Sequence, residues 1–316
     1  MQTLTCCVCH RPLDSDAPHL GNRAYCPEHW AKLNHTRSSV WRSGVAYVVA
    51  IALFAMGAAF LLRTLQPSLS GAGLALAGVA LALTPAALWL AFFYVQDRLE
   101  PEPKGYVIGV FALGALLAGA IGIPVVRDLF SVQDWLGASP LVTLLGSILI
   151  VGFVQEFLKY AAVRYSVYNS SEFDERLDGV LYGTAAGLGF ATMLNIHYIV
   201  GSGGVNLSMA AIQVTVTALA QASFAGITGY FLGRAKFEEE PVWWLASGLA
   251  LAATLNGLFH VLLGNLVRSG SALTGQTVNP WLGLLLATVL AAVSLGVILS
   301  LMRRASRLTL TGADLA

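Results

Sequence analysis

The chain has 316 residues, of which 56% are hydrophobic and 11% charged, and its formal net charge is +1. Soluble domains carry roughly 25% charged residues, so an ordinary water-soluble fold is excluded. The near-neutral balance argues against nucleic acid or another polyanion as a partner.

In chain order, the first predicted unit is residues 1–35, which are polar and hold all four cysteines. Cys6-x2-Cys9 and Cys26-x2-His29 have the spacing of two metal knuckles, each a tight turn aiming two ligands at one ion. Thiolate and imidazole select zinc over magnesium or calcium. So small a unit lacks a sufficient core, and the ion supplies its folding free energy. Disulfides are the competing use of these cysteines, disfavoured in a reducing cytoplasm. Cys7, His10 and His19 are rival ligands. Closed four-ligand sites are structural, so the module is expected to recognise a partner or to cap the N-terminus. Its polar start has no signal-peptide pattern. Residues 36–42 form a linker.

Eight apolar blocks follow, at 43–62, 72–95, 105–126, 141–163, 178–200, 209–233, 242–267 and 281–302. Each is long enough to cross ~30 Å of hydrocarbon. Backbone in lipid must satisfy its own hydrogen bonds, and no period-two alternation points to a barrel, so these are helices. The predicted fold is all-α: a polytopic membrane bundle of about eight helices over 43–304, with a tail at 305–316. An even number of spans puts both termini on one side. That side carries fourteen of the eighteen Lys and Arg residues; the opposite loops hold only Arg63, Arg127 and Arg268, and Lys159 lies inside a span. The positive-inside rule predicts cytoplasmic termini and an inner-membrane location.

Polar groups inside spans are costly and mark candidates for function. Span four holds Gln155, Glu156 and Lys159, the last two at i,i+3 on one face. Span five holds Asn195 and His197, span six Gln213 and Gln221, and span seven Asn256, His260 and Asn265. For the amides, hydrogen bonding between helices is the default reading. Gly179, Gly183 and Gly187 form a small-xxx-small face that permits close approach, and Gly226, Gly229 and Gly233 act likewise.

Four stretches then carry a resemblance: DRLEPEP (97–103), QEFLK (155–159), EFDERLDGVLYGTAAGLGFA (172–191) and GYFLGRA (229–235). Over roughly residues 95 to 265 they resemble the PrsW family of intramembrane metalloproteases, to which a zinc-ribbon or LIM-like module has been added. The resemblance implies a second zinc in the membrane domain. It also implies membrane-anchored protein substrates, anti-sigma factors in the best-known case. Carried over residue by residue, it makes Glu156, Lys159 and Asn195 catalytic candidates and His260 a metal ligand. Three positions depart from the family: Gln155 replaces the first Glu of an E-E pair, Leu194 the Glu of E-N, and Gln221 the first expected His. The loop acids Glu100, Glu102, Asp174 and Asp178 match it, either as charged flanks of the spans or as a gating loop.

His197 lies three residues after Leu194, on the same face, and offers a replacement ligand alongside Glu156 and His260. At 1.5 Å rise per residue, His197 and His260 sit about 24–29 Å from the cytoplasmic end and Gln221 about 18 Å. Glu156 lies level with Gln221 only if its helix runs on to about residue 168. Three functions compete: a metalloprotease with a shifted ligand set; a silent relative that binds a membrane partner, with the zinc module as docking surface; and a transporter. The last is disfavoured because no internal repeat is visible. The partners expected are the bilayer and a membrane-anchored protein, not nucleic acid.

Overall fold

A computed structural model describes residues 4–6, 9–20, 23–36, 40–65, 69–96, 102–173, 176–201, 207–238, 240–271 and 275–313. Cys7, Glu100 and Asp174 lie outside these residues. The N-terminal module consists of a hairpin, β1 (His19–Leu20) with β2 (Arg23–Ala24), followed by α1 (Pro27–Thr36). Proline opens α1 without loss because the first helical N–H has no partner anyway.

Among the described residues, eight helical stretches are long and apolar enough to cross a membrane, in agreement with the eight blocks. The protein is a multi-pass membrane protein. Spans one and two are α2 (Val40–Leu65) and α3 (Gly71–Gln96). Span three is composite: α4 (Lys104–Leu117), π-helical turns at Ala118–Gly122 and Val125–Leu129, and α5 (Val132–Trp135). Pro124 stands between the two π turns, where its missing N–H interrupts the regular ladder. Span four is composite too: α6 (Pro140–Gly146), a π segment at Ser147–Gly152, and α7 (Phe153–Ser166). Ser139 caps its start by accepting from Val142 N–H at 3.2 Å. Spans five to eight are α8 (Arg176–Gly201), α9 (Leu207–Phe237), α10 (Trp244–Val267) and α11 (Pro280–Ala313). Between the last two lies a hairpin the sequence reading did not foresee, β3 (Arg268–Ser271) with β4 (Gly275–Val278).

The centre of the bundle is the α8–α9 pair. Their apolar windows are 83% buried, against at most 39% for the other six spans. Small residues make this pairing possible. A Cβ at Gly179 would stand 2.3 Å from Gly229 O, and one at Gly187 2.6 Å from Gln221 O. The opposite side of α8 packs as tightly on α4, where a Cβ at Gly189 would meet Phe111 O at 1.9 Å. Span four meets α10 through Gly152, whose Cβ would lie 2.3 Å from Ala253 O. Helices that close exclude side chains from the contact, so the few polar residues nearby must pair with one another.

Candidate functional site

Two clusters carry chemistry. In the N-terminal module the ligand atoms of Cys6, Cys9, Cys26 and His29 all lie within 4.8 Å of one another. Cys26 Sγ stands 3.0 Å and Cys6 Sγ 3.7 Å from His29 Nδ1, and Cys9 Sγ is 4.0 Å from Cys26 Sγ. Tetrahedral Zn–S and Zn–N bonds of about 2.0–2.3 Å separate ligands by about 3.3–3.8 Å, so these four fit one zinc ion. The first knuckle closes through His10 N–H to Cys6 O at 2.8 Å, with His10 in a left-handed conformation at φ 56°. The hairpin returns the chain so that Cys26 and, one helical turn on, His29 face Cys6. The rival ligands His10 and His19 are exposed outside the cluster.

The second cluster lies inside the bundle. Glu156 and Lys159 are 0% and 1% exposed, and Lys159 Nζ donates to Glu156 Oε1. Asn256 on α10 donates from Nδ2 to the same oxygen at 2.7 Å. Lys159 also donates to Gln221 Oε1 on α9 at 2.6 Å. Gln221 Nε2 donates to Gln155 Oε1 at 2.8 Å, and Asn256 Nδ2 lies 3.1 Å from that oxygen. The Lys159 ammonium also stands 5.7 Å from the Phe190 ring centroid on α8. Three helices are thus joined by a ring of hydrogen bonds around one carboxylate and one ammonium. Glu156 Oε2 is buried and accepts no hydrogen bond.

The structure places the remaining candidates elsewhere. Asn195 is buried and donates to Val214 O at 3.1 Å, a staple between α8 and α9. Leu194 packs in an apolar cluster with Ala118, Leu158 and Phe190. His260 is exposed, one turn beyond Asn256, with Nδ1 3.4 Å from Ser147 Oγ. His197 is exposed and pairs through Nε2 with Arg127 at 3.1 Å. The set Glu156, His197 and His260 is therefore not brought together: Arg127 holds His197 at the far end of span three. Among the described residues, the one group of three or more Cys, His, Asp or Glu side chains placed to share an ion is the N-terminal one. Sequence reasoning took Asn256 for a simple interhelical contact, although its position one turn from His260 on the same face was a usable signal. Ser147 had no signal at all.

At the end of the bundle bearing Glu102, that loop acid is buried and accepts a hydrogen bond from the Tyr182 hydroxyl at 2.5 Å. Asp178 is buried as well. Lys236 donates to Tyr168 O and Phe173 O, each at 2.5 Å, and Arg176 pairs with Glu238 at 2.9 Å. These contacts tie the α7–α8 loop and the start of span three to α8 and α9.

With this geometry in view, the comparison with known families is decisive: the description "PrsW family intramembrane metalloprotease" matches residues 102–298. The chain belongs to the PrsW family. It is 31% identical over 187 residues to Protease PrsW of Bacillus subtilis, covering 58% of this chain and 82% of that protein. Against Protease PrsW of Halalkalibacterium halodurans the identity is 33%, covering 58% and 81%. Against that of Geobacillus kaustophilus it is 33%, covering 59% and 78%. No solved structure matches the chain. The match begins at Glu102, so the zinc module and spans one and two lie outside it.

A PrsW-family protein implies an intramembrane metal, and the residues of the buried centre do not fit one. Its donors are a single carboxylate, whose Oε1 already accepts from an ammonium and an amide, and two glutamines bonded to each other. No imidazole joins them. Divalent ions of this kind need about three ionic or imidazole ligands and an open position.

Proposed function

We propose that this protein is a PrsW-family member that binds membrane-anchored protein segments without hydrolysing them. In this reading it sits in the cytoplasmic membrane with both termini inside, and its N-terminal module holds a structural zinc ion. The observation that carries it is the hydrogen bond from Gln221 to Gln155. Those are two of the positions where the chain departs from its family, and they are occupied by amides that satisfy each other. The third, Leu194, fills an apolar cluster in which neither a ligand nor a base for water is available. Hydrolysis needs both an ion with an open coordination position and a base; Glu156 is the one carboxylate of the centre, and its Oε1 is taken by Lys159 and Asn256. Membrane-anchored partners are supported by family membership, the cytoplasmic termini by the basic residues gathered in the loops on one side, and zinc by three sulfurs and one imidazole nitrogen.

Elemental analysis of the intact chain purified in detergent tests this. One zinc per chain is expected, lost in Cys6→Ser and kept in His260→Ala. A second ion, removed by His260→Ala or Glu156→Gln, would overturn the reading. So would cleavage of a membrane-anchored protein that stops with Glu156→Gln.

A further inference from the structure

We propose that Arg127 and His197 form a proton-released clasp, which holds the far end of span three against α8 while His197 is neutral and lets go when it is charged. Arg127 Nη1 lies 3.1 Å from His197 Nε2. A guanidinium has donors only, so Nε2 accepts and the ring carries its one proton on Nδ1. A protonated imidazole has no acceptor and would set two positive charges against each other. The contact therefore exists in one protonation state of the ring and not in the other. Histidine is the side-chain type that ordinarily exchanges this proton between pH 5 and 8. Protons have access, because both residues are exposed. Four residues follow His197 in α8, which puts it ~6 Å from that end of the helix, close to the headgroup layer of a bilayer.

The surroundings hold few other charges. The helix α3, which packs on α8 where Gly78 meets Ile199, contains no charged or histidine side chain, and neither does α9 from Leu207 to Gln221. The charged and titratable groups at this end are Asp128 beside Arg127, Asp134 in α5, Tyr198 beside His197 and Arg63 at the end of α2. His260 is turned to Ser147 of span four.

The segment that bears Arg127 is otherwise fastened to itself and to span four. Gln133 Nε2 donates to Arg127 O at 2.9 Å, Trp135 Nε1 to Phe130 O at 2.7 Å, and Thr143 Oγ1 of α6 to Leu136 O at 2.7 Å. Between them Ser131 is left-handed at φ 45°, a costly conformation for a residue other than glycine. Losing Arg127–His197 thus frees a strained segment from α8 and leaves it joined to span four. What lies beneath gives that release a consequence. Nearer the centre on span three, a Cβ at Gly122 would stand 2.9 Å from Phe190 Cζ. The Phe190 ring centroid is in turn 5.7 Å from Lys159 Nζ. Ala118, Leu158 and Phe190 form an apolar seal between span three, α7 and α8, and the clasp fastens its far edge. The clasp goes beyond the reading above and holds whether the chain hydrolyses its partners or only binds them.

Hydrogen–deuterium exchange of the full-length protein in detergent tests it, at pH 7.5 and 5.5 with labelling times scaled to the intrinsic amide rates. The reporters are the amides of Phe130, Asp134 and Leu136, which donate within the segment; residues 180–190 of α8 are the reference. In wild type the reporters' protection is expected to fall about five- to tenfold in acid, the worth of one hydrogen bond to a charged group, with the reference unchanged. His197→Gln keeps an acceptor and takes no proton, so its protection is expected to stay high at both pH values. His197→Lys, with a permanent charge facing Arg127, is expected to be low at both. Should that variant not fold, Arg127→Met, which lacks the donor, carries the same expectation. Equal protection of wild type at the two pH values, or a fall that persists in His197→Gln, overturns the clasp and leaves the non-hydrolytic reading standing.

Discussion

At the scale of single residues, the buried pair Glu156–Lys159 governs the centre. Removing one partner strands the other's charge, with Lys159 left to Gln221 and Glu156 left to Asn256. Breaking a buried ion pair in this way costs about 3–5 kcal/mol, whereas replacing both partners by neutral groups of similar size is far milder. Glu156→Gln and Lys159→Met are each expected to destabilise the bundle by about that amount. The double variant is expected to lose much less than their sum, as read by a double-mutant cycle of denaturant unfolding in micelles. The pairing itself was legible, because i,i+3 spacing puts both groups on one helical face. The roles of Gln221 and Asn256 were not, since an amide in a membrane helix meets a neighbour of any kind, and only coordinates name it. His197 shows the converse: its spacing from Leu194 pointed inward, yet its ring meets Arg127 in the exposed end of span three.

At the scale of elements, the glycine faces of α8 and α9 met as their spacing indicated. A Cβ at Gly229 would stand 2.0 Å from Gly179 O, so Gly229→Ala or Gly187→Ala is expected to push the two central helices apart. Overpacking of this kind costs about 1–3 kcal/mol. Gly57, with nothing within 4 Å of its added Cβ, is the control. Gly57→Ala is expected to stabilise its helix by about 0.5–1 kcal/mol through backbone entropy alone. Thermal unfolding of the three variants in one detergent checks the contrast. The π segment Ser147–Gly152 had no sequence signature. In a regular helix, nine residues turn through about 900°, which would put Ser147 and Glu156 on opposite faces. The wider π turn reduces that rotation, and both residues face α10, at His260 and Asn256 respectively. The helix ends at Ser166, just short of the length expected, and the residues flanking Glu156 still meet Gln221 directly, through Lys159 and Gln155.

At the scale of the whole molecule, the protein is a PrsW-family membrane bundle preceded by a small unit whose three cysteines and one histidine could hold a metal ion. On the proposed reading that the module folds around a zinc ion, Cys26→Ser is expected to open it to protease without altering protection of residues 102–298, as read by limited proteolysis. Protons compete with the metal for three thiolates, so zinc affinity is expected to fall as pH is lowered from 7 to 5. Zinc release to a chromogenic chelator measures it, and a flat profile would contradict thiolate ligation. What the amino-acid sequence by itself determined are features counted along one stretch of chain: eight apolar lengths, two knuckles of ligands, the glycine faces, and the substitutions at 155, 194 and 221. Hydrocarbon thickness, ligand spacing and helical periodicity act locally, so they can be read without a fold. Only the tertiary structure decided which polar groups meet. That depends on how each helix is rotated about its axis, and the rotation is set by π turns and by glycine contacts between segments distant in the chain. This is why Gln155, Glu156, Lys159, Gln221 and Asn256 close on one another while His197 and His260 stand apart.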